Sequence, residues 1–210
     1  MHRKDNLDAR LAACADIMTG ADLTEKNMKK AAEMKAYLDY AQLFGNVAPV
    51  HMEVGCGKGG FVTGMAQLHT NVNFIAVEKV SNVIITACEG AKALGLKNVH
   101  FINCPAEVLP RYIRPASIAR VYLNFSDPLP KLGYAAQRLT NPRFLNMYAA
   151  MLCRGGEIWQ KTDNEEFFDY SLQSYSECGF KVEEVCRDLA AHPFEAVSYT
   201  HLTLPTIRLV

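Results

Sequence analysis

Residues 50–61 read VHMEVGCGKGGF, a β-branched run that passes directly into a glycine-rich loop. Val50–Val54 has the apolar character of a buried strand, and Gly59–Leu68 has the spacing of a helix. Gly55, Gly57 and Gly60 fall in the G-x-G-x-x-G pattern, whose glycines permit a tight turn and close approach of a ligand to the backbone. The next strand, NFIAVE at 73–78, ends in Glu78. A carboxylate there can accept hydrogen bonds from both hydroxyls of a ribose. Strand, glycine loop, helix and terminal acid in this order predict an adenosine-type cofactor site at one end of a parallel sheet.

Outward from this unit, NVHFIN (98–103), IARVYLNF (118–125), EIWQKT (157–162) and FKVEEVCRD (180–188) read as further strands. Ser81–Leu94, Pro142–Leu152 and Glu165–Cys178 read as the helices between them, with Ser81 as a cap and Gly95 as a stop. Alternation of this kind predicts an α/β domain, a doubly wound and mostly parallel sheet. Ahead of it, Asp5–Gly20 reads as a loose helix. Thr24 is placed to cap a longer one through Ala31, Met34, Leu38, Ala41 and Phe44, closed by Gly45. The expected division is a helical extension over 1–45 and a catalytic domain over 46–196.

Glu53 bears on which cofactor is bound. An acid at the mouth of a dinucleotide loop repels pyrophosphate. S-adenosylmethionine carries a sulfonium and an ammonium instead, which an acid suits. Capping of loop amides is the alternative use of Glu53. The strand at 118–125 delivers Ser126-Asp127-Pro128-Leu129-Pro130-Lys131, with two prolines stiffening the loop. Asp127 is either an active-site acid or the counter-ion of nearby arginines. The strand at 157–162 delivers a second polar cluster, Lys161-Thr162-Asp163-Asn164, in which Asp163 is a substrate contact or a helix cap.

The chain has 210 residues, with Lys+Arg 22 and Asp+Glu 22. Such a balance argues against a uniformly basic coat protein and against an acidic disordered chain. Counted by segment, it separates. Residues 108–156 carry seven basic side chains and one acid, Asp127; residues 157–196 carry ten acids and three bases. The middle segment is where an anionic partner is expected. Seven dispersed cysteines without C-x-x-C spacing read as reduced, mostly buried thiols, and no metal site is expected. No apolar run is long enough to span a bilayer and the first residues lack a signal-peptide core, so a cytoplasmic location is expected.

Together the segments EVGCGKGGF (53–61), FIAVE (74–78), YLNFSDPLPK (122–131), RLTNPRF (138–144) and KTDN (161–164) resemble the bacterial tRNA (guanine-N7)-methyltransferases. These are class I, Rossmann-like enzymes that use S-adenosylmethionine. The resemblance covers roughly Tyr40 to Pro193. It implies methyl transfer to N7 of a guanine in the variable loop of tRNA (position 46), by a monomer or homodimer. It implies that Glu53, Gly55, Gly57 and Glu78 bind the cofactor, and that Asp127 is the catalytic acid and also touches the cofactor region. Lys131 and Asp163 would contact tRNA.

The chain departs from the family pattern at four places. Leu129 stands where a tryptophan is usual, and LGYAAQR follows Lys131 where the family is densely basic. Pro105 occupies the usual position of a cofactor-contacting acid or amide, so that contact is either missing or supplied by neighbours such as Asn103 or Glu107. Finally, Val197–Thr206 (VSYTHLTLPT) resembles a translated sequencing-library adapter, so 197–210 is expected to be a non-native tail replacing the family's last strand. Either that tail pairs as a surrogate strand or the sheet keeps an open edge. Two other functions fit the same residues: a class I methyltransferase with another substrate, and a non-catalytic RNA-binding remnant.

Overall fold

The computed structural model describes residues 5–20, 24–187 and 206–209. The chain divides into two units, Met1–Arg114 and Pro115–Val210. In the first, α1 (Leu7–Ala13), β1 (Met18–Thr19), α2 (Met28–Glu33) and α3 (Tyr40–Phe44) lead into β2 (Val50–Val54), α4 (Gly60–Leu68), β3 (Asn73–Val77), α5 (Ser81–Ala93), β4 (Val99–Ile102) and α6 (Leu109–Tyr112). Its strands lie in the order β1-β4-β3-β2, and every pair is parallel. All five residues of β3 are buried, as are all four of β4. Strands buried on both faces read as continuous apolar runs, the mark of a parallel sheet covered on both sides. Met52, Ile75, Phe101 and Ile102 fill this core with Ile84, Ile85, Cys88 and Ala91 of α5. Each large apolar side chain so buried contributes about 1.5–3 kcal/mol.

The second unit holds β5 (Ile118–Asn124), a 3-10 turn over Leu132–Gln137, α7 (Pro142–Met151), β6 (Leu152–Lys161), α8 (Glu165–Glu177), β7 (Val182–Cys186) and β8 (Thr206–Leu209). β5 and β6 are parallel, and β8 lies antiparallel between β6 and β7. Part of the expected tail is therefore a sheet strand, the surrogate pairing. The rest of 197–210 lies outside the described residues. Leu123, Leu145, Tyr148, Ile158, Phe168 and Tyr175 are fully buried between sheet and helices.

The amino-terminal region differs from its periodicity. Instead of one helix capped by Thr24, it forms α2 and α3, capped by the side chains of Asn27 and Asp39. Between them the chain is not helical, and the Ala36 and Leu38 amides donate to the carbonyls of Arg111 and Tyr112 at 2.8 and 2.9 Å. Those tertiary hydrogen bonds replace helical ones, which local spacing cannot foresee. Gly45 closes α3 in the left-handed conformation, as read. The same region also contributes β1 beside β4. Ser81 does not cap α5; Val80 holds that position, and the Ser81 hydroxyl donates to Asn103 Oδ1 at 2.7 Å. The seven cysteines are unpaired and five of them are buried.

Candidate functional site

In the first unit the β2–β3 register sets Val54 opposite Val77, so the glycine loop and Glu78 leave the sheet side by side. The Gly55 and Cys56 amides both donate to the Val77 carbonyl, at 2.8 and 2.9 Å, which folds the loop back over β3. Gly55, Gly57 and Gly59 have φ of 85°, 57° and 83°, a region that side chains disfavour. Gly60, the third glycine of the sequence pattern, begins α4 in ordinary helical geometry. Gly59 is the glycine that packs closely: an added Cβ there would meet the Ala87 Cβ of α5 at 2.6 Å. At Gly57 the same atom would meet nothing within 4 Å, so the loop presents open backbone there.

Glu78 accepts the Gly57 amide at 3.3 Å through Oε2 and the Val80 amide at 2.9 Å through Oε1. A carboxylate has about four lone-pair positions, so acceptor capacity for two ribose hydroxyls remains. The carboxylate is braced from behind: Asn103 Nδ2 donates to the Glu78 carbonyl at 2.9 Å. Asn103 thus serves as a support for Glu78, while Pro105 opens the turn Ala106–Val108. Glu53 is buried at the end of β2. Burial, and then the charges of Glu53 and Glu78, push the Cys56 thiol well above its usual range, keeping it protonated. The loop mouth is therefore electronegative. This suits a cofactor bearing sulfonium and ammonium cations and opposes a pyrophosphate.

In the second unit, Asn124 of β5 lies opposite Lys161 of β6, and the Phe125 amide donates to the Lys161 carbonyl at 2.9 Å. The turns carrying Asp127 and Asp163 thus leave neighbouring strands at the same edge. Asp127, Lys131 and Asp163 are all exposed, and their side chains make no hydrogen bond or ion pair with the described residues. Asp127 is accordingly no counter-ion among those residues, and Asp163 is no helix cap. The cap of α8 is Asn164, whose Oδ1 accepts the Phe167 amide at 2.8 Å. Burial holds the Lys161 ammonium below its usual range. Phe125 and Leu129 adopt φ of 52° and 45°, left-handed conformations that cost a non-glycine residue about 1–2 kcal/mol each. The loop bearing Asp127 is thus held in strained geometry at both ends.

The basic segment is less available than its count implies. Arg120 pairs with Glu157 at 2.8 Å and lies over Trp159 at 4.4 Å. Arg111 donates to the Met34 carbonyl, and Arg138 to the Pro128 and Leu129 carbonyls. Lys131 and Arg154 remain exposed without a side-chain partner among the described residues. No cluster of three metal-ligating side chains occurs among those residues.

A family model whose description reads "Putative methyltransferase" matches residues 47–201. The chain is 45% identical over 148 residues to a tRNA (guanine-N(7)-)-methyltransferase of Geobacillus thermodenitrificans, covering 70% of this chain and 68% of that protein. It is 44% identical over 147 residues to the Bacillus subtilis protein of the same name, covering 70% and 69%. This chain belongs to the tRNA (guanine-N7)-methyltransferase family. Among solved structures, a SAM dependent methyltransferase from Aquifex aeolicus superposes with a TM-score of 0.57 at 12% identity, over 88% of this chain and 98% of that one. The 16S rRNA methyltransferase KamB gives 0.59 at 15%, over 83% and 94%. At such identities the likeness shows the fold alone: the doubly wound, Rossmann-like α/β fold of class I methyltransferases. Two supports in this tRNA (guanine-N7)-methyltransferase family member, Asn103 behind Glu78 and Arg138 behind the Asp127 loop, have no local sequence signal. Each works by hydrogen-bonding a backbone carbonyl on another element.

Proposed function

We propose that this chain transfers a methyl group from S-adenosylmethionine to N7 of a guanine in tRNA, the variable-loop guanine at position 46, in the cytoplasm. The observation that carries the reading is the shared edge of β5 and β6, where exposed Asp127, Lys131 and Asp163 stand on two adjacent turns. On this reading Glu53, Gly55, Gly57 and Glu78 hold the cofactor, and Lys131 and Asp163 contact tRNA. The catalytic domain is residues 46–196, preceded by the extension 1–45, and 197–210 is a non-native tail.

When bound, S-adenosylmethionine supplies an electrophilic methyl group on a sulfonium. Guanine N7 offers an unprotonated lone pair at neutral pH, so the protein needs no general base to activate it. Its task is alignment and charge placement. Asp127 accepts hydrogen bonds from the Watson–Crick edge of the guanine, which orients N7 and sets negative charge beside a purine that becomes cationic. Glu53 sets negative charge at the mouth of the cofactor loop, and the Glu78 carboxylate orients the ribose.

Incubation with labelled S-adenosylmethionine and bulk tRNA, followed by digestion to nucleosides, tests this directly. Label is expected in 7-methylguanosine. Asp127→Ala is expected to abolish the label while S-adenosylmethionine binding stays measurable by calorimetry. Label in another nucleoside, or turnover near wild type in D127A, would overturn the assignment.

A further inference from the structure

Arg138 follows the turn Leu132–Gln137, and its guanidinium reaches back to the loop that carries Asp127. Nε donates to the Pro128 carbonyl at 2.9 Å and Nη2 to the Leu129 carbonyl at 3.1 Å. The guanidinium lies over the Tyr170 ring of α8 at 4.2 Å. It pairs with no carboxylate among the described residues, although α8 begins with Glu165 and Glu166. We propose that Arg138 is a positioning residue, which fixes the Ser126–Lys131 loop so that Asp127 and Lys131 meet the guanine in one orientation. The inference rests on the reading of Asp127 and Lys131 as substrate-facing groups.

Three observations carry it. The carbonyls that Arg138 holds lie between Asp127 and Lys131, and one belongs to Leu129, a left-handed residue at φ 45°. Such a conformation persists only where its surroundings fix it. The other end of the loop is pinned at Phe125, left-handed at φ 52°, whose amide donates to the Lys161 carbonyl. Asp127 stands between the two pins, with its own side chain uncommitted among the described residues. The anchor is itself anchored. Asn141 Nδ2 donates to the Tyr170 hydroxyl at 3.2 Å, and the buried Thr140 hydroxyl meets the Ser171 hydroxyl at 2.9 Å. Gln160 Nε2 of β6 donates to the same Ser171 hydroxyl at 3.0 Å. A polar chain thus runs from β6 through α8 to Thr140 and Asn141, just after Arg138. The planar fork of arginine can hold two successive carbonyls and stack on a ring at once, which a lysine ammonium cannot do.

Steady-state kinetics on Arg138→Ala, Arg138→Lys and Asp127→Ala, with calorimetric S-adenosylmethionine binding and thermal melts, test the proposal. In R138A, kcat for tRNA methylation is expected to fall ~100-fold, the loss typical of a displaced reacting group, while cofactor affinity and melting temperature hold. R138K is expected to be nearly as impaired, because the fork and not the charge is what acts. It decides the matter if R138A does not stay folded. Activity restored by R138K would overturn the proposal in favour of simple attraction of tRNA. So would loss of cofactor binding and melting temperature in step with activity, which marks a merely structural role. An inactive D127A beside a near-wild-type R138A would overturn the clamp alone, whereas an active D127A would remove the reading on which it rests.

Discussion

His100 shows how one residue acquires properties that its neighbours in sequence do not announce. It sits buried in β4, with Nε2 2.8 Å from the Thr19 hydroxyl of β1. Burial pushes its pKa down to about 4, against a weaker opposing pull from Asp16. Between that value and 6.5 the unfolded chain binds a proton that the folded one excludes, so stability rises with pH across this window and falls on acidification. The loss from this group is on the order of 2–3 kcal/mol by pH 4. His100→Gln, which keeps a donor toward Thr19, should flatten the fall in melting temperature between pH 7 and pH 5; an unchanged profile would show that other groups set it. Asp163 and Asn164 make a related point. Either side chain suits a helix cap on spacing alone, and only the fold shows that Asn164 takes the Phe167 amide and leaves Asp163 exposed.

For single elements, the glycine loop was legible and its packing was not. The pattern located the turn and the acid that follows β3, because a left-handed turn needs glycine wherever it occurs. It carries no sign of the close packing at Gly59, the residue that faces Ala87 across α4 and α5. Gly59→Ala forces a Cβ to within 2.6 Å of Ala87 Cβ and places it at φ 83°, so about 2–4 kcal/mol of stability should be lost. Gly57→Ala meets open space and should lose about 1 kcal/mol, the conformational part alone. Paired thermal melts measure the difference, and equal losses would refute the packing role of Gly59. The segment before β2 failed in the opposite sense. Its helical spacing is real, but backbone hydrogen bonds to residues 111–112 override it over 35–38.

In the whole molecule, β8 links the last strands of the second unit. It is the strand that joins β7 to β6. Deleting 197–210 should bare the edge of β6, leave β7 without its strand partner, and lower the melting temperature by about 5–10 °C with aggregation visible by light scattering. Undiminished cooperative unfolding of the shortened chain would overturn this. The sequence by itself determined the α/β class, the places of most strands and helices after residue 50, the glycine-rich loop after β2 and the positions of Asp127, Lys131 and Asp163 beyond β5 and β6. These follow from periodicity and from backbone requirements, which are local. Only the tertiary structure decided which cations stay exposed. Of the seven in the basic segment, Arg111, Arg120 and Arg138 are turned inward to carbonyls and to Glu157. It alone decided, too, that residues 206–209 of a tail read as foreign pair between β6 and β7, and that an arginine hydrogen-bonds the loop that carries Asp127. Partners distant in the chain are chosen by packing, and no local pattern encodes that choice.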